Sequence, residues 1–126
     1  MKYYLVSILL LLALMLACVT SACYVTASVR ETETLLQKAQ LAQTIGDHAS
    51  VQTYVSLASD TWTRHQDYFS VVLQHHEVDD VVTEFAQLNA YAKSDDQDDF
   101  NSNCAGLLAK LEHLRKMEWP YLYNIL

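Results

Sequence analysis

Glycine and proline are scarce in this chain of 126 residues, which contains two glycines and one proline. Strands joined by tight turns depend on these residues, so the composition argues against a β-rich fold. Residues that favour helix, Leu, Ala and Gln among them, recur throughout the chain. The length leaves room for one domain with a modest core. We therefore predict an all-α protein.

Clusters of basic residues are also missing. The chain has eight Lys and Arg against fifteen Asp and Glu, and its formal net charge is −7. Lys2 is the only charged side chain before Arg30, so all the carboxylates lie in the later part. Binding to a phosphate backbone depends on counterion release by clustered basic residues. We expect no nucleic-acid partner, and anionic lipid headgroups are disfavoured for the same reason.

The three cysteines, Cys18, Cys23 and Cys104, do not suggest a disulfide framework. The first two lie in a hydrophobic leader and the third lies far along the chain. Cys104 occupies an apolar position of a predicted helix. We expect it to be a small buried hydrophobe rather than a reactive thiol.

The leader is long and apolar. From Tyr3 to Val19 the only polar aliphatic residue is Ser7, and no charge follows until Arg30. A membrane-spanning helix needs about 20 apolar residues, and tyrosines such as Tyr3 and Tyr24 suit the two interfaces. We predict that residues 1–29 form an uncleaved signal-anchor helix, with no helix break before the domain that follows.

Two alternatives for the leader stay open. Val25-Thr26-Ala27 has the small residues that signal peptidase prefers, which would give a secreted domain. Leu16-Ala17-Cys18 and Ser21-Ala22-Cys23 resemble lipobox sequences, although neither matches well, and would give a lipoprotein. For an uncleaved anchor, Lys2 and the amino terminus favour a cytoplasmic N-terminus and an extracytoplasmic domain, although Arg30 and Lys38 dilute that asymmetry.

Four apolar stripes with helical spacing predict two antiparallel helical hairpins, at residues 30–66 and 74–118. Gly46-Asp47 separates the first two stripes, and the segment 94–99 separates the last two. The stripes are Leu35, Leu36, Ala39, Ala42 and Ile45; Val51, Tyr54, Val55, Ala58 and Trp62; Val78, Val81, Val82, Phe85, Leu88 and Ala92; and Phe100, Cys104, Leu107, Leu108, Leu111 and Leu114. The similarity of the two pairs admits a tetratricopeptide-like repeat as an alternative.

Proline predicts where the last helix ends. The residue before a proline is biased away from the α conformation, so Trp119-Pro120 should close that helix. Residues 119–126 would then form an apolar tail that caps the core or docks on a partner.

The densest group of potential metal ligands is His75, His76, Glu77, Asp79 and Asp80. His75 with Asp79 and His76 with Asp80 have the spacing of neighbours on a helix, but the two pairs point in different directions. A metal-binding or metal-sensing function is therefore an alternative to helix capping. Four more carboxylates, Asp95, Asp96, Asp98 and Asp99, lack the pattern of a calcium loop and should cap the last helix.

No set of residues amounts to a catalytic site, because no nucleophile lies in a strained turn and no glycine-rich loop follows a strand. We expect neither an enzyme nor a cofactor. The aromatic residues Trp62, Tyr68, Phe69 and Tyr91 fit core or packing positions. Arg64, Tyr68 and Tyr91 are candidates for an interaction groove between the hairpins.

Three short motifs, His76-Glu77-Val78-Asp79, Leu88-Asn89-Ala90-Tyr91 and Asn124-Ile125-Leu126, give the chain a resemblance to a family. It resembles domain-of-unknown-function family four-three-six-three, which comprises short bacterial proteins with one hydrophobic helix followed by acidic amphipathic helices. The resemblance implies an anchor and a helical fold, and it brings no catalytic or binding residues. Our leading hypothesis is a non-enzymatic, membrane-tethered scaffold that binds an unknown protein or itself.

Overall fold

The computed structural model describes residues 1–73, 75–94 and 96–125, with the side chains of Val72 and of residues 117–125 outside that description. These residues form four α-helices and no strand. The helices are α1 (Lys2–Thr44), α2 (His48–Val72), α3 (His75–Ser94) and α4 (Gln97–Ile125). The predicted all-α fold, a long apolar first helix leading into two hairpins, is confirmed.

The four helices form a closed ring. Short connections make successive helices antiparallel, and α1 packs on both α2 and α4, while α3 packs on the same two helices from the opposite side. This is the arrangement of an up-down-up-down four-helix bundle. An open array of tetratricopeptide-like repeats would leave the first and last helices apart, because each repeat contacts only its neighbours. Contact between α1 and α4 closes the bundle.

Gly46 makes the turn between α1 and α2 possible. Its φ of 79° is in the left-handed region that glycine adopts at low cost. The amide of Gly46 donates to the carbonyl of Gln43, and the amide of Asp47 donates to that of Ala42 at 3.0 Å, which is a Schellman motif. The Asp47 carboxylate accepts hydrogen bonds from the hydroxyl and amide of Ser50, and these bonds lower the pKa of Asp47. The predicted stop and cap are both confirmed.

Carboxylates also begin α4. The side chain of Asp96 accepts a hydrogen bond from the amide of Asp99 at 3.2 Å, and its carbonyl accepts one from Phe100. The side-chain hydrogen bond with Asp96 and the negative charge of Asp96 raise the pKa of Asp99. The predicted capping role is thus confirmed for Asp96, while Asp95 lies outside the described residues.

The core runs along the centre of the bundle and draws on all four predicted stripes. Its largest fully buried side chains include Trp62, Phe69, Phe100, Leu36, Leu88, Leu107, Leu111 and Leu114. Leu35, Tyr54 and Leu108 are partly buried against it. Two stripe assignments were wrong, since Ile45 is 78% exposed and Val82 is 38% exposed. Ile45 caps the end of α1, beyond the last buried turn, and Val82 lies at the edge of a stripe that Val78 and Val81 already fill.

Helix α1 has two parts with different surroundings. Residues 2–20, the projecting segment, are almost entirely exposed, whereas burial begins at Ala22 and recurs to Gln43 in the packed segment, residues 22–44. At about 1.5 Å per residue, the projecting segment is roughly 28 Å long. The predicted continuity of anchor and domain is confirmed. The bundle also includes residues 22–29, which the sequence-based division had placed with the anchor.

Helix α4 does not end at Trp119-Pro120, so that prediction was wrong. Its backbone stays helical to Ile125. A proline removes one N–H donor and biases the preceding residue towards extended backbone, but a helix can absorb both effects at a cost of about 3 kcal/mol. The side chains of the tail lie outside the described part of the chain, and the role predicted for residues 119–126 stays a prediction.

Candidate functional site at the base of the bundle

The base of the bundle is the end from which the projecting segment emerges. Helix α2 runs back along α1 and brings its last two turns to this end. Ser21 and Tyr24 lie three residues apart on α1, and His65 and Tyr68 have the same spacing on α2, so each pair lies on one helix face. We call these four residues the junction cluster.

Two side-chain hydrogen bonds cross from α1 to α2 within the junction cluster. The hydroxyls of Ser21 and Tyr68 are hydrogen-bonded to each other. The hydroxyl of Tyr24 is 2.6 Å from Nδ1 of His65. Because each bond joins residues more than forty positions apart in the sequence, the cluster fixes the register of α2 against α1 where α1 leaves the bundle.

Aromatic contacts connect the junction cluster with the core. The Tyr24 ring meets Tyr68 edge-to-face at 4.8 Å between centroids and meets His65 at 5.4 Å. His65 lies 5.9 Å from Phe69, whose ring is 4.6 Å from that of the buried Trp62. Such ring pairs contribute about 0.5–1.5 kcal/mol each beyond the area they bury. A continuous series of ring contacts therefore joins the junction cluster to the buried Trp62.

An open groove of about 540 Å³ lies beside the junction cluster. Its lining comes from both parts of α1 and from α2: Ala13, Leu16, Ala17, Thr20, Ser21, Tyr24 and Tyr68. The projecting segment contributes the small Ala13 and Ala17 to this lining, and four of the lining side chains carry hydroxyls. The groove thus spans the boundary between an apolar helix and a polar domain.

The chemistry of the junction cluster is that of hydrogen bonding. Nucleophilic catalysis by serine needs a base within hydrogen-bond reach of its hydroxyl. In the described structure Ser21 bonds to Tyr68, and His65 bonds to Tyr24, so the nucleophile and the imidazole have different partners. Within the described residues, the arrangement ties two helices together through these hydrogen bonds.

The candidate metal ligands on α3 do not converge. His75, His76, Asp79 and Asp80 are all exposed along the first turns of the helix. Asp80 lies 3.9 Å from the ammonium of Lys110, which pairs more closely with Glu84 at 2.8 Å. The hydrogen bond with Glu84 raises the pKa of Lys110. Within the described residues, no three His, Cys, Asp or Glu side chains come together in a group that could hold a metal ion.

The three residues suggested for an interaction groove lie in different places. Tyr68 belongs to the junction cluster, and the exposed Arg64 reaches back to the hydroxyl of Thr61 at 3.3 Å. Tyr91 is half-buried near the other end of α3, where the side chain of Gln52 donates to the carbonyl of the adjacent Ala92. Gln52 precedes Tyr68 on α2 by 16 residues, or about 24 Å of helix. The described structure therefore does not bring Tyr68 and Tyr91 into one groove.

The three cysteines differ in exposure between the beginning of α1 and the bundle core. Cys18 and Cys23 are exposed, while Cys104 is fully buried and its thiol points at the carbonyl of Leu36 at 3.8 Å. Burial raises the pKa of Cys104 to about 12. The prediction that Cys104 is a buried hydrophobe is confirmed, because a thiolate is strongly disfavoured at that position.

Sequence reasoning did not find the junction cluster as a set. It identified Tyr24 as an interfacial residue and Tyr68 as a packing residue or a candidate for an interaction groove. Ser21 was considered only as part of a lipobox-like sequence, and His65 was not singled out. Their pairing depends on how α2 is aligned with α1, and one sequence does not fix that alignment. The one available indication was the coincidence of polar and aromatic residues where the apolar run ends.

Comparisons with known proteins identify a family for this chain. No curated protein and no solved structure matches the chain. The family model that does match is a domain of unknown function, DUF4363, over residues 19–125. Its first matched residue lies at the end of the projecting segment, so the match covers the helical bundle. Because it spans most of the sequence and agrees with the resemblance seen in the motifs, the chain belongs to the DUF4363 family.

Proposed function

We propose that this protein is a non-enzymatic, membrane-tethered helical module that holds a rigid interaction surface next to the outer face of a bacterial cell membrane. The observation that carries the proposal is the continuity of α1. One unbroken helix, Lys2–Thr44, supplies both the apolar projecting segment and one wall of the bundle. A domain held in this way cannot swing on a flexible linker.

The exposed apolar side chains of the projecting segment favour a membrane over water as its environment. Within the described chain, α1 is the helix long and apolar enough to cross a bilayer. Exposed apolar surface of this extent is a liability in water. The hydroxyls of Ser7 and Thr20 donate to backbone carbonyls four residues earlier, which satisfies them inside the helix. A helix in hydrocarbon requires that kind of internal pairing.

Core packing favours retention of the leader. Cleavage after Ala27 would remove Ala22 and Val25, which are buried in the bundle, together with the buried Thr26. Deleting buried aliphatic side chains costs several kcal/mol in total, a large fraction of the stability of a small domain. Lipidation would fit the exposed Cys18 or Cys23, and the mass of the mature protein distinguishes it from an intact anchor.

Charge supports the orientation and the class of partner. Lys2 and the amino terminus on one side of the apolar segment favour a cytoplasmic N-terminus, although Arg30 and Lys38 on the other side reduce that asymmetry. All fifteen carboxylates lie on the side of the bundle. The acidic bundle suits a partner with basic surface, in agreement with electrostatic complementarity in general. A second envelope protein with basic surface would fill that role, whereas another copy of this acidic chain would have to bind through other contacts.

Intact-mass measurement on membrane-extracted protein, combined with protease protection in whole cells, tests the tether and its orientation. We expect the full-length mass and a bundle that added protease degrades. A mass that lacks the first 17 to 27 residues would replace the anchor with a lipoprotein or a secreted domain. A bundle degraded only after cell lysis would reverse the orientation.

Crosslinking in intact cells tests the interaction role separately. We expect adducts heavier than the monomer, formed through the bundle and lost when membranes are solubilised under harsh conditions. Monomer alone after crosslinking and after gentle solubilisation would contradict an interaction module, even if the tether is correct.

A further inference from the structure

The last turn of α2 carries an exposed valine beside the apolar part of α1. Val71 is 83% exposed and follows Tyr68 by three residues. Tyr68 bonds to Ser21, the residue that follows the projecting segment. Because α2 runs antiparallel to α1, residues after Tyr68 lie beside residues before Ser21. At about 1.5 Å per residue, Val71 is roughly 4.5 Å further towards the projecting segment than Tyr68, level with Cys18.

We infer that the last turn of α2 enters the interfacial region of the bilayer, so that the base of the bundle rests on lipid as a second membrane contact. This inference rests on the proposed function, since it takes the projecting segment to span the membrane. The junction cluster would then set the depth of α2 in the membrane interface. Its two hydrogen bonds hold α2 at the depth where the apolar part of α1 ends.

The composition of the α2 end agrees with this position. No Asp, Glu, Lys or Arg occurs between Asp67 and Glu77, which is the uncharged stretch that follows the water-exposed part of α2. Tyrosine is enriched at the level of lipid headgroups, and both Tyr24 and Tyr68 lie at this boundary. The imidazoles of His75 and His76, exposed at the start of α3, are polar groups that suit the same level.

The groove beside the junction cluster shows that the α2 end lies next to apolar surface. Tyr68 shares that groove with Leu16 and Ala17 of the projecting segment. In a bilayer, a side chain at this depth that is not covered by the bundle or by α1 contacts lipid, whichever way it points. The alignment of α2 with α1 therefore favours lipid, rather than a second protein, as the partner of the surface around Val71.

Fluorescent labelling at single cysteines tests the inference in the full-length protein. Cys18 and Cys23 are replaced by Ser, and the buried Cys104 is left in place. An environment-sensitive dye is attached in separate variants at Val71→Cys and Asp67→Cys, which lie one turn apart on one face of α2. Leu11→Cys and Leu41→Cys report the projecting and packed segments. The proteins are reconstituted in phosphatidylcholine vesicles, with iodide as aqueous quencher and with nitroxide lipids labelled at shallow and at deep acyl-chain positions as membrane quenchers.

We expect the dye at position 71 to be blue-shifted, quenched by the nitroxide lipids and protected from iodide, whereas the dyes at 67 and 41 are quenched by iodide. Lipid quenching at position 11 without lipid quenching at position 71 would overturn this inference and leave the anchor intact. Absence of lipid quenching at position 11 would overturn the proposed tether itself. Protection from iodide at position 71 without lipid quenching would mean that protein covers Val71, which also overturns the inference.

Discussion

The two parts of α1 are one helix in two kinds of surroundings. Leu10 in the projecting segment is 67% exposed and Leu41 in the packed segment is 68% exposed, so exposure does not distinguish them. What differs is the neighbourhood. Leu41 and Ile45 form a small exposed apolar pair among polar residues such as Lys38, which is normal on a protein surface. Leu10 lies in an apolar run that continues around the whole helix, which is typical of a helix surrounded by lipid.

Periodicity, rather than hydrophobicity alone, distinguishes the part of α1 that packs on protein from the part that does not. In the packed segment, Val25, Val29, Leu36 and Ala39 recur with helical spacing and are fully buried. In the projecting segment no such spacing exists, because there is no protein surface for a stripe to face. Substitutions placed in each part should therefore have opposite consequences for insertion and for folding.

The largest expected effect is on insertion. The double substitution Leu10→Arg and Leu11→Arg places two charges near the centre of the projecting segment, and each costs about 2.5–3.5 kcal/mol in a spanning helix. We expect the protein to leave the carbonate-resistant membrane fraction. The matched control, Leu41→Arg, should stay in that fraction. Equal behaviour of the two variants would remove the distinction between the two parts of the helix.

The second prediction concerns the core. Leu36 is fully buried on the packed segment, and Leu36→Ala should lower the free energy of unfolding by about 2–5 kcal/mol, because it leaves a cavity. Denaturant unfolding of the full-length protein in mild detergent measures this change. Leu9→Ala, on the projecting segment, serves as the matched control and should change the unfolding of the bundle by less than about 0.5 kcal/mol. A similar loss in both variants would mean that the projecting segment also packs on the bundle.

Most of the fold could be predicted from the sequence because its signals are local. Helical spacing identified nearly all the buried positions, and Gly46-Asp47 marked a turn whose hydrogen bonds are made by adjacent residues. The errors arose where a local rule competes with its context. The rule for residues before proline predicted that the last helix ends at Trp119-Pro120, whereas the backbone of α4 stays helical to Ile125.

The junction cluster could not be predicted in the same way. Ser21 and Tyr68 are 47 positions apart, and their contact depends on the register of two long helices. The closure of the bundle by α1 and α4 is likewise a tertiary property, because the same stripes would also suit an open array of hairpins. When a site is formed by residues that pair across two helices, it cannot be recognised in the sequence until the alignment of those helices is known.

The third prediction uses the buried thiol of the bundle. Cys104 has a pKa of about 12 in the folded protein, above the value of about 8.5 expected for an unfolded chain. Its raised folded pKa means that stability is fully present below pH 8.5 and is lost as pH rises towards 12, because the unfolded chain then releases the proton first. Between pH 8.5 and 10 we expect a loss of about 1.5 kcal/mol from this group.

Unfolding at several pH values, compared between the natural chain and Cys104→Ala, isolates that contribution. The variant removes the thiol and should unfold with a shallower dependence on alkaline pH. Parallel curves for the two proteins would show that Cys104 ionises as readily in the folded state as in the unfolded state. The exposed Cys18 and Cys23 are present in both proteins and cancel in the difference.

The smallest expected effect concerns the charged surface of the packed segment. Glu33 on α1 accepts a hydrogen bond from Nε of Arg115 on α4 at 3.3 Å, and both side chains are largely buried. Glu33→Gln leaves the guanidinium without a charged partner, so we expect a loss of about 1 kcal/mol in the free energy of unfolding. Glu31→Gln, at an exposed position two residues earlier, should change it by less than about 0.5 kcal/mol.

A double-mutant cycle of Glu33→Gln with Arg115→Ala assigns that loss to the pair. A coupling energy of about 0.5–1 kcal/mol would show that the pair helps to hold α4 against α1. Salt screens a largely buried ion pair less than an exposed one, so most of the coupling between Glu33 and Arg115 should persist at high ionic strength. If the coupling is zero, α4 is held by its apolar stripe alone, and the packed segment differs from the projecting segment only in the spacing of its hydrophobic residues.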